Sequence, residues 1–125
     1  MPVEWDRRGR VVVRTIGNYS NAEVRVAIDQ AAADPEFQAG TSLVFDGTRS
    51  EAPITRQDVD WRVAVLRQLP SMGFSSRVGI VVRADERYRF GLARQLSMLV
   101  EQHGVELKSF PDVEAATAWL SGAAD

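Results

Sequence analysis

The chain has no cysteine, which removes disulfides, thiolate nucleophiles and thiolate metal sites from consideration. It has one histidine, His103, so no pair of imidazoles is available to bind a metal or to work as a catalytic relay. Lys108 is the only lysine; all other side-chain cations are arginine, a bias that a GC-rich coding sequence accounts for without any functional role. No apolar run approaches the ~20 residues that a membrane span needs. The start, Met-Pro-Val-Glu-Trp-Asp-Arg-Arg, has no apolar leader core. The expectation is a cytoplasmic protein without membrane insertion. The formal net charge is only −2, which argues against nucleic acid as the partner.

What remains is an ordinary globular composition, 125 residues with 45% hydrophobic and 26% charged side chains. A chain of this size buries roughly 65–70% of its unfolded surface, so one domain over residues 1–125 is expected. Two short β-prone runs, Val3–Asp6 and Val11–Ile16, flank Arg7-Arg8-Gly9-Arg10 and read as a hairpin with glycine in the turn. Gly17-Asn18-Tyr19 ends the second strand. Ser20-x-x-Glu23 is then a capping-box pattern, and Val24, Ala27, Ile28 and Ala31 recur at helical spacing up to Asp34 and Pro35.

Ser42-Leu-Val-Phe-Asp46 reads as a compact strand ending in an acid, with a polar loop from Gly47 to Pro53 behind it. Thr55-x-x-Asp58 offers a second cap, and Val59, Val63, Leu66 and Leu69 form the stripe of a second helix. Val78–Val82 is the most continuously apolar strand, as expected of one buried on both faces. Tyr88, Leu92, Leu96 and Leu99 are expected to be the inward stripe of the third helix, with Gly104 just past its end. The strand beginning at Val105 alternates like an edge strand. Asp112 then caps a short helix carrying Val113, Ala116, Trp119 and Leu120 on one face.

Strand and helix alternate after the hairpin, so the fold class is α/β, a mostly parallel five-stranded sheet with four helices. Ligands of open α/β sheets bind beyond the carboxyl ends of the strands. That directs attention to the loops at Gly17–Asn21, Asp46–Thr55 and Arg83–Arg87. They offer Asn18, Tyr19, Asp46, Arg49, Ser50, Thr55 and Arg83 as a candidate binding or regulatory surface. Asp46 either orients Arg49 or bonds turn backbone; Arg49 either binds an anion or is an ordinary exposed arginine; Thr55 is either modified or a plain cap. Arg83, Asp85, Arg87 and Arg89 form a mixed-charge start to the third helix. Trp61 and Trp119 sit at core spacing, whereas Trp5 on the hairpin edge suggests a homodimer contact.

Asp46 followed by Arg49, the segment Tyr88-x-x-Gly91-Leu92-Ala93-Arg94, and the ending Phe110-x-Asp112 through Ala118-Trp119-Leu120 resemble the bacterial SpoIIAA-like proteins, also described as STAS/Sec14-like domains. The resemblance runs from the hairpin to Leu120. It implies a regulatory role: anti-sigma-factor antagonists of this fold carry a phosphorylatable serine in an Asp-Ser-Ser-Gly-like run. This chain has Asp46-Gly47-Thr48-Arg49-Ser50-Glu51 there, so Ser50 and Thr55 are positional candidates only. The Sec14-like description implies handling of apolar ligands.

No triad, dyad or metal set accompanies Asp46 or Asp85, so neither an enzyme nor a cofactor is expected. The favoured expectation is a non-enzymatic regulatory or protein-binding domain acting through its strand-end loops. The alternative is a carrier of a small apolar or lipid-like molecule held between the sheet and the second and third helices. An apolar cavity in that place would separate the two.

Overall fold

The computed structural model describes residues 2–7, 10–51, 54–83, 85 and 87–122. Its elements are β1 (Val3–Arg7), β2 (Val11–Gly17), α1 (Asn21–Ala33), β3 (Thr41–Ser50), α2 (Arg56–Gln68), β4 (Phe74–Val81), α3 (Arg87–Glu101), β5 (Glu106–Phe110) and α4 (Val113–Leu120). A 3-10 turn at Pro70–Met72, absent from the sequence expectation, links α2 to β4. Gly9, expected in the hairpin turn, lies outside the described residues, as does Pro53.

The strands lie in the order β1-β2-β3-β4-β5. The β1–β2 pair is antiparallel and the other three are parallel. The sheet is thus mixed, where a mostly parallel one was expected; the difference is the hairpin. From β2 onward each connection moves to the next strand in the same direction, and right-handed crossovers then place α1, α2 and α3 on one face. The core on that face joins Val11, Val13, Leu43 and Val78 to Ile28 and Leu66. Among the described residues only α4 covers the other face, where Val12, Val44, Val81 and Phe110 meet Ala116 and Trp119. Alternation along the strands assigns each side chain to its layer.

Both capping boxes form. Ser20 accepts from the Glu23 backbone N–H at 3.2 Å, and the Glu23 carboxylate accepts from the Ser20 backbone N–H at 3.1 Å. Thr55 and Asp58 repeat the arrangement at 3.2 and 2.8 Å. Asn21 Nδ2 donates to Asp58 Oδ1 at 2.9 Å, tying the start of α1 to that of α2. The Thr55 backbone N–H holds the Asp58 carboxyl below the usual carboxylate range; burial opposes this, and the Asn21 amide, the Thr55 hydroxyl and the Arg62 charge reinforce it. A carboxylate whose folded-state pKa is depressed contributes stability that is complete above its unfolded value of about 3.9 and lost as pH falls through the folded one. Asp58→Asn is therefore expected to be less stable than the parent at pH 7, with the gap shrinking toward pH 3. Urea unfolding at the two pH values measures it, and a gap independent of pH would refute the role.

Three local expectations are corrected. Asp46 does not end its strand, because β3 continues through Ser50. The inward face of α3 is Ala93, Leu96 and Val100, with Leu92 half-buried, while Tyr88 is 69% and Leu99 36% exposed. Trp5 rests against the core and donates from Nε1 to Gln30 of α1 at 3.2 Å, so the hairpin does not present it as a free edge aromatic.

Candidate functional site

A partly enclosed cavity of about 80 Å³ opens at the carboxyl ends of β2, β3 and β4, between the sheet and helices α2 and α3. Thr15, Phe45, Ser50 and Ile80 form its sheet side. Val59, Trp61, Val65 and Leu66 of α2 and Leu92 and Leu96 of α3 close it from above. Tyr19, Asn21, Ile54, Arg62 and Arg89 stand around the mouth. The walls are apolar for the same reason the core is: these positions continue the inward stripes of the two helices and the inward alternation of the strands.

One irregularity decides which side chain of β3 enters the cavity. Arg14 pairs with Asp46 and Ile16 with Arg49, so Gly47 and Thr48 together lie opposite Thr15. This is a β-bulge of one extra residue. A shift of one residue exchanges the faces of everything after it. Regular pairing would turn Arg49 inward and Ser50 outward; the bulge reverses them. Asp46 holds it, its Oδ1 accepting from the Thr48 backbone N–H at 3.1 Å and from Thr48 Oγ1 at 2.7 Å.

Ser50 consequently lines the cavity, 4% exposed, and among the described residues its hydroxyl oxygen has no hydrogen-bond partner. A buried hydroxyl left unpaired costs about 1–3 kcal/mol, and native structures keep few such groups. At the mouth, Arg62 Nη2 donates to the Tyr19 hydroxyl at 2.5 Å. The described lining contains two arginines and no carboxylate. Asp58, whose carboxyl feels the Arg62 charge, is held by Asn21 and Thr55.

The residues singled out from the sequence do not share one surface. Tyr19 and Ser50 line the cavity. Asn18 is exposed on the preceding loop. The Thr55 side chain is engaged in its capping box, accepting from the Asp58 backbone N–H. Asp46 and Arg49 belong to the opposite face of the sheet by register. There Arg14 lies 3.8 Å from Asp46 and also pairs with Asp6. Asp46 thus neither orients Arg49 nor faces the cavity. Arg83 is exposed and 3.8 Å from Asp85. The sequence reading missed Thr15, Arg62 and Ile80. Arg62 carried a signal, since it stands three residues after Val59 and four before Leu66, an arginine on an inward stripe.

Among the described residues no group of three or more His, Asp and Glu is placed to hold a metal ion, and no helix is long and apolar enough to cross a membrane. No protein-family model matches the chain, and no curated protein does either. A solved structure does: an uncharacterised protein of the DUF3478 family with a SpoIIAA-like fold, from Shewanella loihica PV-4. It aligns with a TM-score of 0.63 over 94% of this chain and 91% of that one, at 14% sequence identity. At that identity the likeness is one of architecture, and the fold of this chain is SpoIIAA-like.

Proposed function

We propose that this chain is a non-catalytic binding domain that holds a small, largely apolar molecule between its sheet and α2 and α3. The observation that carries this reading is the apolar cavity at the strand ends with a buried, unpartnered Ser50 hydroxyl in its wall. Pockets that bind small molecules combine apolar walls with a few convergent polar groups, as this one does. A regulatory loop surface has less support, because its expected residues divide between two faces of the sheet. Phospho-regulation has less still: Ser50 is buried, and the Thr55 hydroxyl is committed to its cap.

The reading is tested by thermal unfolding against a panel of small apolar compounds. A ligand at a hundred times its Kd stabilises a folded protein by about 2.7 kcal/mol. At least one class of compound is expected to raise the melting temperature. Ala93→Phe, which places a ring into the cavity from α3, is expected to abolish the response while retaining the circular dichroism of the parent. Identical responses from the parent and Ala93→Phe, or none from either, would sink the proposal.

A further inference from the structure

Resting on that reading, we infer that the ligand is a short-chain organic carboxylate, its apolar chain in the cavity and its carboxylate held at the mouth by Arg62 and the Ser50 hydroxyl. Three independent observations converge on this class. Ser50 Oγ is a buried donor with nothing to donate to, and a ligand acceptor would complete it. Gly17 is the register partner of Ser50, so the chain leaving β2 runs from beside Ser50 to Tyr19, whose hydroxyl accepts from Arg62. The serine and the guanidinium therefore belong to one end of the cavity.

The second observation is charge. Arg62 stands in the cavity lining with its Nη2 on the Tyr19 hydroxyl, and guanidinium groups bind carboxylates through charge-assisted, often bidentate hydrogen bonds. A ligand cation would meet the like charge of Arg62 instead.

The third observation is size. At about 80 Å³ the cavity is smaller than the roughly 150 Å³ of one that takes benzene. It encloses a short alkyl chain, and a long one would trail into solvent. Burial of each methylene is worth about 0.8 kcal/mol, roughly fourfold in affinity. That gain should cease once the cavity is full.

Calorimetric titration with sodium hexanoate and hexan-1-ol, on the parent, Arg62→Gln and Ser50→Ala, tests the inference. Hexanoate is expected to bind the parent at least about tenfold more tightly than hexan-1-ol, since hydrogen bonds to a charged group are worth about tenfold to a hundredfold. Arg62→Gln should remove that preference by weakening hexanoate about tenfold more than hexan-1-ol. Ser50→Ala should weaken hexanoate by about tenfold without lowering the melting temperature of the ligand-free protein, which a purely structural serine would not permit. From butanoate to hexanoate affinity should rise, and by decanoate it should level off. Equal binding of acid and alcohol, or a preference that survives Arg62→Gln, would overturn the carboxylate. A fourfold gain per methylene continuing to hexadecanoate would overturn the short chain and point to a lipid as the carboxylate's source. If apolar compounds bind but hexanoate does not, this inference alone falls; if none binds, the binding-domain proposal falls with it.

Discussion

Trp119→Ala is expected to destabilise the protein by about 3–5 kcal/mol, the cost of removing a large buried aromatic and leaving its space. The helix that carries it, α4, has only eight residues, too few to persist in water by helix propensity alone. Its hold on the sheet is therefore tertiary, and Trp119 is its centre: 3% exposed, with its ring 5.5 Å from that of Phe110 and the Arg77 guanidinium 4.2 Å above it. Gly79 of β4 permits the close approach. A Cβ there would lie 3.2 Å from that of Ala116, tighter than most side-chain contacts. Among the described residues no other helix covers this face, so no second helix replaces the lost contact. Urea unfolding gives the value directly. A loss under about 1 kcal/mol would mean that α4 contributes little to the fold.

The architecture was legible because each element declares itself locally. Ser20 with Glu23 and Thr55 with Asp58 form the capping boxes their spacing announced, and Trp119 is buried as its helical position required. Position in the chain also put Tyr19 and Ser50 among the candidates, and both line the cavity. What the sequence hid was the face on which each residue of β3 lies. Asp46-Gly47-Thr48 looks like the end of a strand, since aspartate and glycine disfavour strands, yet it is a bulge that pairing with β2 sustains. That extra residue takes Arg49 to the face opposite Ser50, and no local pattern foretells it. The cavity is equally non-local. Thr15, Arg62 and Ile80 come from three elements, and their only trace in the sequence is a polar residue at an inward position, as Thr15 follows Val11 and Val13.

Leu96→Ala and Leu99→Ala, three residues apart in one helix, are expected to differ by several-fold in cost. By size alone the stripe Tyr88, Leu92, Leu96, Leu99 looks like the inward face of α3. The helix is instead rotated about one position, so that Ala93 and Val100 point to the sheet. Smaller residues there let α3 lie close over β5, where Ser97 Oγ reaches the Leu107 carbonyl at 2.6 Å. Leu96 belongs to both stripes and is 4% exposed, whereas Leu99 is 36% and Tyr88 69% exposed. Truncating a buried leucine costs about 2–5 kcal/mol, the upper part of that range where the site cannot collapse. Leu96 borders a cavity already present, so it has fewer packing contacts to lose and the lower half is expected, about 2–3 kcal/mol. Leu99→Ala should cost under about 1 kcal/mol, as surface substitutions do. Because Leu96 also lines the cavity, its truncation enlarges the space for a ligand and should extend the chain length at which carboxylate affinity levels off. Chemical denaturation of the two variants, followed by titration of Leu96→Ala with butanoate, hexanoate and decanoate, measures both effects. Equal destabilisation by the two substitutions would return α3 to the orientation its largest residues suggest, and an unchanged chain-length limit in Leu96→Ala would remove Leu96 from the cavity wall.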